Sequence, residues 1–115
     1  MTELDAFRRE IDAIDDEILA VLGKRFAVVR RVADYKAPRG IPAIIPERIE
    51  AVREGCARRG ARLGLDPDFL RVLYSLIIDE ACRLEEELIA GAPNSDNSPD
   101  GAAKPTSRAR RSRRL

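Results

Sequence analysis

"EILAVLGKRFAVVRRVADYK", residues 17 to 36, holds the feature on which the fold turns. Counted in sevens from Leu4, the chain reads Leu4, Ile11, Ile18, Arg25, Val32; counted from Phe7, it reads Phe7, Ile14, Val21, Val28, Tyr35. Nine of these ten positions carry side chains that pack, as the seam of a helix bedded on other helices requires. The tenth is Arg25, a guanidinium in a row of Ile and Val.

Working outward, Thr2 followed by Asp5 reads as an N-terminal cap with acid in the first turn. From Glu3 to about Lys36 there is no proline and a single glycine, Gly23, so the spacing predicts one unbroken helix. "KAPRG" ends it, since Pro38 cannot continue the ladder and Gly40 permits a turn. A second helix opens at Pro46 in "IIPERIEAVREGCARRGARLG" and fades at Gly60 or Gly64. The third opens in "DPDF", with Asp66 as cap and Pro67 at the first helical position, and runs to about Ile89. No stretch has the alternation of a strand. The expected class is all-α, one long N-terminal helix followed by two shorter ones.

A first helix of about 34 residues at 1.5 Å each is about 50 Å long. A compact domain of about 90 residues is only about 30 Å across. Two shorter helices of one chain cannot cover such a rod, so its apolar seam calls for a second copy, most simply an intertwined symmetric homodimer. A kink at Gly23 that folds the helix back is the alternative.

Composition narrows the chemistry. The chain has no histidine, which removes Ser-His and Cys-His catalysis and most zinc sites. Cys56 and Cys82 are far apart and lack CxxC spacing, so both read as small packed residues. Neither a metal nor a cofactor is expected. The first ten residues, "MTELDAFRRE", lack the apolar core of a signal peptide, and a cytoplasmic protein is expected. The 115 residues divide into a helical domain, 1–90, and a tail, 91–115, rich in Pro, Ser, Asn and Gly and expected to be disordered. The tail holds six basic residues against two acidic ones, which leaves the body net acidic although the whole chain is +1. No aromatic platform or basic recognition helix accompanies that tail, so nucleic acid is not the expected partner.

Arg25 and Lys36 stand 11 residues apart, three turns with about 20° of rotation, and so share a face with about 16 Å between them. Together they suit a small anion. Arg8 lies about 25 Å from Arg25 along the axis and points elsewhere; it joins that face only from a second, antiparallel chain. On the third helix Tyr74, Ile78, Ala81, Glu85 and Leu88 form a stripe in which Glu85 is the charged member. Partial withdrawal from water favours the protonated, donating form of such a carboxyl, while nearby arginines oppose it. The plainer reading of each charge is a solvated helix face, or for Arg25 an ion pair with Asp15 or Asp16 across a dimer.

The long first helix with Arg8, Arg25 and Lys36, the Pro-Glu-Arg start of the second, and "LYSLIIDEACRLEEELI" together resemble the all-helical class of chorismate mutases over residues 4 to 90. That resemblance implies an intertwined dimer of three-helix chains with cofactor-free sites that rearrange chorismate to prephenate. It implies that Arg8 crosses to the partner's site to hold one substrate carboxylate and that Arg25 holds the other. Lys36 and Glu85 then face the breaking ether oxygen, Glu47 lies near the ring C4 substituent, and Val32 and Ile78 line the walls. Ala43 and Pro46 stand where many members have an acid and an arginine, and Ala81 where a serine is common. Losing that arginine while keeping Glu47 suits a cationic 4-amino group, so the chain resembles the branch acting on 4-amino-4-deoxychorismate. "IPAIIPER" is also similar to the isochorismate pyruvate lyases. A non-catalytic helical dimer, a scaffold module, is the reading from another class.

Overall fold

The computed structural model describes residues 2–91. Its elements are α1 (Glu3–Lys36), a 3-10 turn (Ala37–Arg39), α2 (Pro46–Ala61) and α3 (Pro67–Ala90). The described residues contain helices and turns and no strand. The basic stretch of the tail lies outside them.

Local chemistry sets each boundary. Thr2 and Asp5 form a reciprocal capping box: Asp5 N–H donates to Thr2 Oγ1 at 3.2 Å, and Thr2 N–H to Asp5 Oδ2 at 3.3 Å. α1 then runs unbroken past Gly23 to Lys36. The chain leaves through Gly40, whose φ of 68° is natural for glycine. α2 begins at Pro46 and closes in a Schellman motif, with Leu65 N–H donating to Gly60 O and Gly64 N–H to Ala61 O, each at 3.0 Å. Gly64 takes the left-handed position at φ 86°. Asp66 caps α3 by accepting from Asp68 N–H at 3.1 Å, with Pro67 behind it.

Packing is uneven. α3 lies against both α1 and α2. Arg71 Nε donates to Glu54 Oε1 at 2.9 Å, and Gly60 lets α2 approach so closely that a Cβ there would fall 2.1 Å from Leu70 Cδ1. α3 reaches only the C-terminal half of α1. Between Glu3 and Val21 no residue is buried, and Leu4, Phe7, Ile11, Ile14, Ile18 and Val21 all stand about half exposed. The buried apolar set among the described residues is Ala33, Ala57, Leu70, Ile78, Ala81 and Leu84, half of it alanine. The Cα radius of gyration is 18.1 Å, against about 12 Å for a compact chain of this size. Most of the seam read in the sequence is therefore left uncovered by the chain's own helices.

Candidate active site

Beside the C-terminal half of α1, residues of α1, α2, α3 and the loop after α1 line a half-open cavity of about 520 Å3. That size suits a small organic ligand. Its walls are apolar: Val28, Val29 and Val32 from α1, Ile49 and Val52 from α2, Ile78 and Ala81 from α3. Four charged side chains, Arg25, Lys36, Arg48 and Glu85, break that lining.

Lys36 ends α1, and the loop that follows folds back over it. Its Nζ donates to Glu85 Oε1 at 2.8 Å and to the Ala43 carbonyl at 3.1 Å. The Lys36 and Glu85 side chains are only 13 % and 11 % exposed. Taking both charges out of water offsets much of their attraction, so the pair positions the ammonium more than it stabilises the fold. An ammonium carries three N–H groups. Two are held by the chain, and one remains for a molecule in the cavity. Glu85 Oε1 accepts from Lys36 here.

Arg25 presents the opposite case. Its Nη1 is buried and has no hydrogen-bond partner among the described residues. A buried donor left unpaired costs about 1–3 kcal/mol, and more when charged. Within the chain Asp15 and Asp16 lie more than two turns away along the unbroken α1, so neither pairs with it there. Arg25 lies close enough to Tyr74 to favour its ionised form, but burial dominates and pushes that phenol up, with Cys56 adding to the rise. Burial likewise raises the Cys82 thiol, helped by the carboxylates of Glu85, Asp79 and Glu86. Cys82 is thus a neutral element of the cavity wall and not a ready nucleophile.

Of the residues singled out from sequence, Arg25, Val32, Lys36, Ile78 and Glu85 all line this cavity. Arg8 stands apart, exposed near the start of α1 with Nη1 3.7 Å from Asp5. Glu47 is exposed on the first turn of α2 and is not part of the lining; its neighbour Arg48 is. The second helix thus brings a cation to the cavity lining although position 46 is a proline. Helical spacing carried the signal. Ile45, Ile49 and Val52 mark the inward face of α2, and Arg48 lies within about 60° of Ile45 while Glu47 lies about 200° from it.

A buried cationic hook, a buried ion pair with one open donor and apolar walls suit a small anionic substrate held tightly and changed without covalent attachment. Residues 7–86 match the family model for chorismate mutase type II. The chain is 45% identical over 92 residues to a 4-amino-4-deoxychorismate mutase of Streptomyces pristinaespiralis, covering 78% of this chain and 71% of that protein. It is 40% identical over 84 residues to a 4-amino-4-deoxychorismate mutase of Streptomyces venezuelae, covering 73% of this chain and 82% of the relative. An isochorismate pyruvate lyase of Pseudomonas aeruginosa is 38% identical over 78 residues, 67% of this chain and 75% of that one. No solved structure gives a significant match.

Proposed function

This chain belongs to the type II chorismate mutase family and is an isomerase, and from that premise we propose that it carries out the Claisen rearrangement of 4-amino-4-deoxychorismate to 4-amino-4-deoxyprephenate. The single observation that carries a catalytic reading is the buried, unpartnered Nη1 of Arg25 in the same cavity as the Lys36–Glu85 pair. The preference for the 4-amino substrate rests on the two mutase relatives.

The substrate is a dicarboxylate that reacts without bonding to the enzyme, so the rate gain comes from conformation and electrostatics. Arg25 holds one carboxylate and keeps the enolpyruvyl arm folded over the ring. The open N–H of Lys36 meets the ether oxygen as the carbon–oxygen bond breaks and negative charge gathers there. Glu85 and the Ala43 carbonyl hold that ammonium in place. Val32 and Ile78 form apolar wall, and covering by a partner and by the substrate itself would keep water from the charged contacts and strengthen them. The working form is a homodimer that covers the exposed seam of α1 and brings Arg8 of the partner subunit to the second carboxylate. Glu47, exposed in the single chain, approaches the C4 substituent only if substrate or partner draws the first turn of α2 inward.

The test is a side-by-side assay of purified protein with 4-amino-4-deoxychorismate, chorismate and isochorismate, following substrate loss and released pyruvate. Fastest loss of the amino compound, without pyruvate, is expected. Pyruvate from isochorismate would move the protein to lyase chemistry, and no turnover of any of the three would leave the scaffold reading in front. Glu85→Gln keeps a carbonyl for Lys36 and adds a donor, so its kcat should stay within about tenfold of the parent. Glu85→Ala releases Lys36 and should lose about a hundredfold, the scale of one misaimed charged donor. Equal rates for the two variants would remove Glu85 from the chemistry.

A further inference from the structure

The apolar seam of α1 has two flanks. Counted in sevens, one carries Arg8, Asp15, Leu22, Val29 and Lys36, and the other Glu3, Glu10, Glu17, Lys24 and Arg31. Val29 and Lys36 line the cavity, so the first flank is the cavity side. Every residue of the second flank is exposed, and among the described residues none of Glu10, Glu17, Lys24 and Arg31 forms an ion pair. Its charges change sign along the helix, three acids and then two cations. We propose that this second flank fixes how two copies of the chain pair: antiparallel, with Glu10 against the partner's Arg31 and Glu17 against the partner's Lys24. This rests on the homodimer proposed above and deepens it by giving its direction and register.

Direction follows from charge. A parallel pair sets Arg25 on the partner's Arg25 inside the seam, Glu10 beside the partner's Asp15 and Arg31 beside the partner's Lys36. All three are contacts between like charges. An antiparallel pair brings unlike halves together, since residues 3–17 hold seven acids and two arginines, and residues 24–36 five cations and one acid. Reversing one helix also turns its flanks over, so each flank then faces the same flank of the partner.

Three counts agree on the register. With Ile14 opposite the partner's Arg25, all ten seam positions fall in layers, from Leu4 on the partner's Tyr35 to Ile18 on the partner's Val21. The charged flank then forms its two pairs, each made twice by the two-fold axis. The cavity flank brings the partner's Arg8 level with Val29, about 2 Å along the axis from the midpoint between Arg25 and Lys36. Sliding by one heptad breaks this agreement. One direction sets Glu17 on the partner's Glu17; the other sets Lys24 on the partner's Lys24 and leaves Leu4 and Phe7 beyond the end of the partner's α1. Exposed ion pairs add little stability, so the apolar layers hold the dimer and the charges select its alignment.

The test is charge reversal followed by exchange, on the full chain. Urea unfolding at several protein concentrations gives the dimer's dissociation constant, and sedimentation gives the assembly state. Glu17→Lys turns two attractive contacts into two repulsive ones and should raise that constant about tenfold at low salt, as should Lys24→Glu. The double variant Glu17→Lys/Lys24→Glu restores unlike charges and should return to within about threefold of the parent, the scale of an exposed ion pair. In 1 M salt, where the screening length is about 3 Å, the differences should shrink below about twofold. One heptad out of register, the double variant places like charges together and is weaker than either single change. A double variant no stronger than the single ones, or single changes without effect at low salt, would overturn the register and leave the homodimer standing. A parent that sediments as a monomer would overturn both.

Discussion

Arg25→Leu is expected to lower kcat/KM by at least about a thousandfold while leaving the thermal midpoint unchanged or raised. The two effects have one cause. Nη1 is buried without a partner among the described residues, so within a single chain it bears the cost of an unpaired donor. That cost is about 1–3 kcal/mol or more for a charged group, and Leu removes it amid Val28, Val29 and Ile78. A thousandfold loss corresponds to about 4 kcal/mol of transition-state binding, within the range for a preorganised charged contact in a water-excluded site. A structural arginine would behave oppositely, since breaking a satisfied buried ion pair costs about 3–5 kcal/mol of stability. Steady-state kinetics and a thermal melt on one preparation separate the cases. Turnover within tenfold of the parent, or a midpoint lowered by more than a few degrees, would contradict the assignment.

Ile14→Glu should have the largest effect on the folded state. Ile14 sits midway along the exposed seam of α1, in the half that α3 does not reach. Covering half-exposed apolar side chains yields about 1 kcal/mol each, so a paired seam supplies on the order of 10 kcal/mol in total. That is comparable with the whole stability of a small domain, whereas the buried apolar core among the described residues is six residues, three of them alanine. A symmetric dimer meets the new carboxylate twice. Analytical ultracentrifugation should show loss of the dimer at micromolar concentration, circular dichroism should show a midpoint lowered by 10 °C or more, and turnover should fall with the dimer. Asp16→Lys, on the face of α1 opposite the seam, is the control and should change neither. A parent protein that sediments as a stable monomer would defeat the dimer proposal outright.

The limits of the sequence show at Glu47 and Arg48. Element boundaries were legible because they are local: the Thr2–Asp5 box, Pro46, Gly64 and the Asp66–Pro67 pair each act within one turn of backbone. Helical spacing also placed Arg25 and Lys36 on one face and Glu85 on an otherwise apolar stripe. Relative angles within a helix follow from 100° per residue and need no neighbour. The phase of one helix against another is different. Whether α2 turns Glu47 or Arg48 toward the cavity depends on its rotation about its own axis, and Gly60 against Leu70 and Glu54 on Arg71 set that rotation. A shift of one residue exchanges an acid for a cation.

The sequence by itself determined the all-helical class, the three helix limits, the overlong first helix and the residue types available for an anion site. Only the tertiary structure decided that Lys36 and Glu85, 49 residues apart, meet as a buried pair, that Arg25 is left with an unpaired donor, and that Arg48 belongs to the cavity. The physical reason is range. Caps, prolines and helical period act over a few residues of backbone, whereas a site is made by side chains whose approach is set by how whole helices pack.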